Sequence, residues 1–419
     1  MPPATTATAA PARYAMALIA AFLILVFAYS LVSEWLARTV VTAPILFTVG
    51  GLSLLAVLPD WQAPAGGPEG FRRAAELGLV LLLFTDGSRT DLGVLRDMRN
   101  LPTRLLSVGM LLTMLLGALA ARLVLPQLSI WEAGILAAVL APTDAGLGQI
   151  IVNSPRVPLR IRQALNVEAG LNDGLSVPFL MFFVALVRAS NSPGYPRLAP
   201  FLIEQLGYGI AIGGGIGLAG GWLLGLARRR GWMADSLQQL GVVALPLLCL
   251  LASEETGASM FIAAFVAGLV VQIGFADAGR HSVEFADEWG QLLNLSVFFL
   301  FGLMAGRSWP QLRWPYVLYA VLSLTVVRML PVAIALAGTG LDRATVLFMG
   351  WFGPRGLASI VLGLVYLQGE THSPQDPTLR LAVMTTVLLS IFAHGLSALP
   401  GIALYARRRG VNPAPAAGP

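Results

Sequence analysis

The chain has 419 residues, of which 56% are hydrophobic and only 12% charged, with a mean hydropathy of +0.75. A soluble protein of this length needs a far more charged surface, so that class is excluded. The net charge of +5 is no nucleic-acid signature, because the basic residues lie in short loops between apolar runs.

All 27 basic residues are arginine, so no lysine with a tunable pKa serves any chemistry here. The single cysteine, Cys249, excludes an internal disulfide. The composition predicts an all-α polytopic membrane protein.

Along the chain, residues 1–14 are rich in Ala, Thr and Pro and read as a disordered N-terminus ahead of an uncleaved first span. Hydropathy then gives about thirteen spans. Their limits are 15–36, 41–58, 75–93, 101–124, 131–152, 159–188, 201–227, 237–253, 257–274, 284–306, 314–338, 343–367 and 381–406. The transmembrane region ends near residue 410, and 411–419 reads as a short disordered tail.

With the N-terminus outside, 16 arginines fall in cytoplasmic segments and 9 in external ones. The clusters Arg156/Arg160/Arg162, Arg228–Arg230 and Arg407–Arg409 all lie inside, which predicts an N-out, C-in protein of the cell inner (plasma) membrane. Arg328 and Arg355 are left within spans. Arg328 reads as snorkelling or capping a helix end.

The fifth span is interrupted by "LAPTDAG" (140–146) and the twelfth by "GWFGPRGLAS" (350–359). Each interruption has a Pro followed by charge and Gly, and the two three-span blocks start on opposite sides of the membrane. This is the pattern of an inverted repeat with two discontinuous crossing helices and a transport site near the midplane. Broken ends expose helix dipoles, which Asp144 at an N-terminal end and Arg355 at a C-terminal end would offset. The glycines "GGGIG" (213–217) follow no strand and read as helix-packing residues, not a phosphate loop. His394 reads as a satisfied packing histidine.

The stretch "NVEAGLNDGLSV" (166–177) carries the chemistry. Helix rise places Asp173 roughly 16 Å along the sixth span and Arg355 roughly 18 Å along the twelfth. Both are therefore near the middle of a roughly 30 Å hydrocarbon core. A lone charge there costs on the order of 3 kcal/mol. Glu168 and Asn172 share a helix face, so Arg355 is expected to neutralise Glu168, with Asn172 hydrogen-bonding the pair. Asp173 points about 100° away from Asn172 and has no protein cation. Its counter-charge must come from water, as a proton or a metal cation. Thr143 offers oxygen to a hard alkali ion.

These residues resemble a known family. "APTD" (141–144), "NVEAGLNDG" (166–174), "GPRG" (353–356), "ELGLVLLLFTDG" (76–87) and "SVFFLFGLMAG" (296–306) are similar to the NhaP/NHE-type sodium–proton antiporters. The resemblance implies a thirteen-span homodimer in which a core domain moves against a dimerisation domain. Mapped here, the core comprises 101–188 and 314–406, the scaffold 15–93 and 237–306, and the linking helix 201–227. It implies that Asp173 binds the ion with Asn172 beside it, that Glu168 and Arg355 form a structural pair, and that Thr143 and Asp144 form the unwound-helix site.

The paired Asn-Asp, in place of two aspartates, resembles the electroneutral branch. Ala169 stands where the family carries a serine, and Ala145 where it carries a proline. The expected activity is exchange of a monovalent cation, foremost Na+, for H+, with no enzyme chemistry, no cofactor and no partner beyond cation, proton, lipid and a second copy. K+ or Li+ exchange and a cation channel remain alternatives. A membrane-embedded enzyme would need a nucleophile or metal cluster that three scattered histidines and one cysteine do not supply.

Overall fold

The computed structural model describes residues 9–57, 67–89, 101–191, 200, 203–276, 278–368 and 373–409. The N-terminal residues 1–8, the tail from 410, and Arg96, Arg99 and Arg197 of the charge count lie outside the described residues.

The described chain is helical in order: α1 (Ala9–Leu36), α2 (Ala43–Val57), α3 (Gly67–Arg89) and α4 (Leu101–Val124, with a π-helical turn at Leu105–Gly109). Next come α5 (Ile130–Val139), α6 (Ala145–Val152), α7 (Leu159–Asn191), α8 (Gly209–Arg229), α9 (Asp235–Thr256), α10 (Met260–Gly274) and α11 (Ala278–Ser308). The last are α12 (Trp314–Leu324), α13 (Val326–Ala335), α14 (Arg343–Trp351), α15 (Leu357–Gln368) and α16 (Asp376–Arg408). Among the described residues, 8 helices are long and apolar enough to cross a membrane.

Several helix starts are set by local sequence. Ser129 and Glu132 close a capping box on α5, and Ser259 and Asp342 accept the backbone N–H of Ile262 and Thr345 at the starts of α10 and α14. The helix α9 stops at Gly257, whose φ of 69° suits only glycine well.

Small residues let the helices touch at their backbones. Gly209, Gly213, Gly217, Gly221 and Gly225 form one buried row along α8 against α10. A Cβ at Gly213 would sit 2.2 Å from the Ala263 carbonyl, and one at Gly225 2.2 Å from that of Gly274. Of the "GGGIG" glycines, Gly213 and Gly217 are thus packing residues, while Gly214 and Gly215 face open space on the other side of α8. Gly302 on α11 meets the Thr48 carbonyl of α2, and Gly268 on α10 meets the Phe84 carbonyl of α3, in the same way. Outward positions such as Ile24, Phe27, Leu31, Leu115 and Leu119 are exposed, as lipid-facing residues should be.

The breaks at 140–144 and 352–356 are present, separating α5 from α6 and α14 from α15. A further break, without a hydropathy or Pro-Gly signal, lies at Thr325 (φ −108°, ψ −90°) and separates α12 from α13. No Pro or Gly marks that position, since Pro331 lies inside α13.

Candidate functional site

The two expected breaks meet. The Asp144 backbone N–H donates to the Pro354 carbonyl at 2.8 Å, joining the two unwound segments directly. One Asp144 carboxylate oxygen accepts from Leu147 N–H at 3.0 Å, and the other from Leu357 N–H at 2.6 Å. A single buried acid therefore caps the N-termini of both α6 and α15, where positive helix-dipole ends converge. The carbonyl end of α5 is met by the Arg355 guanidinium, whose Nη1 donates to Ala141 O (2.6 Å) and Pro142 O (3.0 Å). The dipole compensation expected of Asp144 and Arg355 is in place.

The fourth half-helix end, that of α14, is met by a histidine of α16. His394 Nε2 donates to the Trp351 carbonyl at 2.9 Å, at the end of α14. With that nitrogen protonated, Nδ1 accepts from the Ser390 hydroxyl (3.1 Å), which in turn accepts the Arg355 N–H (2.7 Å). His394 is a satisfied packing histidine, as read.

The ion pair differs from expectation. Glu168 pairs with Arg328, not Arg355: Arg328 Nη1 and Nη2 lie 2.6 and 2.9 Å from its two carboxylate oxygens. Both side chains are buried, so Arg328 neither snorkels nor caps. The physical reason is the break at Thr325, which the spacing did not reveal. It starts the new helix α13, and Arg328 is buried on its inner side. Gly353 leaves the room, since a Cβ there would lie 2.2 Å from Arg328 Nε. Meanwhile Arg355 sits inside the α14–α15 break, where the Ala141 and Pro142 carbonyls just past α5 engage it. Asn172 does not bond the ion pair. Its amide donates to the Thr143 hydroxyl at 2.7 Å, tying α7 to the α5–α6 break.

Asp173 is 5% exposed, and its Oδ1 is buried with no hydrogen-bond partner in the protein. Among the described residues no arginine forms an ion pair with it. The charges that bear on it are the acids Asp86 of α3 and Asp144. Gly170, one turn before Gly174 on α7, keeps the helix close to Asp86. A small cavity beside this cluster is lined by Thr143, Asp144, Glu168, Ala169, Asn166 and Pro354, among others. Ala169 turns a methyl group into that cavity wall. The arrangement gathers hydroxyl, carboxylate and backbone oxygen around a negative focus with no fixed cation, which suits a transient alkali ion or proton.

A domain model described as "Sodium/hydrogen exchanger, transmembrane" matches residues 21–401. The chain is 26% identical over 360 residues to a probable Na+/H+ antiporter of Schizosaccharomyces pombe, covering 77% of this chain and 47% of that protein. It is 25% identical to the K+/H+ antiporter NhaP of Alkalimonas amylolytica, covering 77% and 56% respectively. The chain thus spans about half the length of these relatives. It superimposes on the sodium proton antiporter MjNhaP1 of Methanocaldococcus jannaschii with a TM-score of 0.70 at 19% identity, covering 92% of this chain and 99% of that one. With the family model spanning most of its length and the fold shared, the chain belongs to the sodium/hydrogen exchanger family.

Proposed function

We propose that this protein is a secondary antiporter that exchanges a monovalent cation, foremost Na+, for H+ by alternating access. The observation that carries this reading is the state of Asp173: buried, with an unpartnered oxygen, while Arg328 pairs with Glu168 and Arg355 donates through Nη1 to the carbonyls past α5. Such a carboxylate is stable in the membrane only with a proton or a cation bound, and the two compete for it. Asn172 holds Thr143 in place beside it, and Asp144 fixes the two half-helix ends. If Asp173 alone cycles between ion and proton, one ion exchanges for one proton and no net charge moves.

The same reading assigns thirteen passes with the N-terminus outside and the C-terminus in the cytoplasm of the plasma membrane. The packing of α2 on α11 and of α3 and α8 on α10 supports a scaffold unit. The packing of α4 on α5, α5 on α7 and α12 on α16 supports a moving core. A homodimer built on the scaffold is part of this reading. The small cavity at Thr143 and Asp144 extends past Ile151, Val152 and Leu165, toward the cytoplasmic ends of α6 and α7 in that orientation, which supports ion access from that side.

Potassium is the second reading, favoured by Ala169. A methyl in the cavity wall in place of a hydroxyl removes one ligand, and a weakly hydrated ion tolerates that loss better. Proteoliposomes with a trapped pH dye, given Na+, K+ or Li+ gradients with and without an imposed voltage, test both. Antiport gives cation-driven proton flux that voltage does not change. Voltage-dependent cation current without proton movement, as from a channel, would refute it.

A further inference from the structure

The access to Asp144 is bordered on one side by a residue that neither break contributes. Asn294 lies on α11, which packs against α2 and α3, whereas Asp144 and Gly146 open α6. A Cβ placed on Gly146 would be 3.1 Å from Asn294 Nδ2 and 3.1 Å from Asp144 Oδ1, so the amide and the carboxylate border the same small space. Gly146 is exposed, so that space is open rather than packed shut. Independently, Asn294 Oδ1 is buried and has no hydrogen-bond partner in the protein. A buried amide oxygen without a donor costs on the order of 1–3 kcal/mol, so it calls for a ligand.

We infer that Asn294 is a specificity-determining residue for the transported cation, contributing its side-chain oxygen as the ion passes between α11 and the start of α6. This rests on the exchange reading above. An amide suits the place because it presents both polarities. Its Nδ2 borders the same space as the Asp144 carboxylate without adding charge, while its carbonyl can replace one water of a partly dehydrated alkali ion. Gly146 is part of the same device, since only a residue with no side chain leaves the gap passable. In the alternating-access reading, with α11 in the scaffold and α6 packed on α7 and α16 of the core, the contact forms in one position of the core and is lost in the other. Asn294 thereby acts on selection at one face of the membrane, whereas Asp173 acts at both.

The test measures apparent KM and maximal rate for Na+, K+ and Li+ in proteoliposomes carrying wild type, Asn294→Ala or Asn294→Ser. Loss of one oxygen ligand should raise apparent KM by up to roughly tenfold. The ratios among the three cations should change, with maximal rates nearly kept. A merely structural role would lower the rate for every cation alike and leave the ratios unmoved, which would overturn the inference. Thermal melting in detergent accompanies each variant. Should Asn294→Ala fail to fold, Asn294→Asp serves: a second carboxylate beside Asp144 should shift the half-maximal pH of exchange upward, and an unchanged pH profile would equally overturn it. If wild type itself exchanges nothing, the antiport reading falls first. If wild type exchanges normally and the variants match it in both KM and ratios, only the role of Asn294 falls.

Discussion

Arg328 grips Glu168 through both guanidinium nitrogens, at 2.6 and 2.9 Å, in a site where each side chain is only 4% exposed. This pair joins α13 to α7 and leaves Arg355 free to serve the end of α5. Removing one member of a buried ion pair leaves an uncompensated charge, costing on the order of 3–5 kcal/mol. Arg328→Ala should therefore sharply lower yield and melting temperature in detergent, and Arg328→Lys should recover only part, since an ammonium cannot fork onto a carboxylate. A melting temperature unchanged in Arg328→Ala would contradict the pairing.

Gly356 is a second place where the geometry makes a sharp demand. A Cβ there would lie 1.9 Å from Asp144 Oδ2, the oxygen that accepts the Leu357 N–H. Gly356→Ala should displace Asp144 from the ends of both α6 and α15, where one cap is worth about 1 kcal/mol. Cation-driven flux should fall well below wild type even in protein that still extracts as a folded species. Gly148, with nothing within 4 Å of its Cβ position, is the control, and Gly148→Ala should keep the wild-type melting temperature.

Outside the membrane, Asp342 caps α14 and accepts Arg409 Nη2 at 2.8 Å. The Thr345 hydroxyl and then the Arg409 guanidinium hold the Asp342 carboxyl below its usual range. A depressed folded value adds stability at pH above the ordinary carboxylate range, which is lost as pH falls through the folded value. The group is exposed, so the effect is small and screened by salt. Arg409→Ala should lower the melting temperature slightly at neutral pH. That difference should vanish in acid and shrink in high salt. A difference growing as pH falls would contradict this sign.

The polytopic class, the two broken helices and the acid cluster were legible because hydropathy, Pro-Gly interruptions and intramembrane charge are local signals. The dipole logic for Asp144 and Arg355 was legible too, since it depends only on which end of a broken helix lies nearby. The partner of Glu168 was not. Depth and helix face admitted either arginine, and the choice was made by a kink at Thr325 with no glycine or proline at the kink itself. The same limit hid Asn294, an amide in an apolar run of α11 whose meaning comes from a glycine far away in sequence. The Ser390–His394 link to the end of α14 was hidden likewise, because a helix packed across the break supplies it.

The most direct measurement is cation-driven proton flux in proteoliposomes reconstituted with Asp173→Asn, alongside wild type at matched protein content and melting behaviour. An asparagine keeps the size but can neither take up a proton nor offer a charge, so the flux should vanish at every pH while wild type exchanges. Flux persisting near the wild-type rate would show that some other group carries the ions.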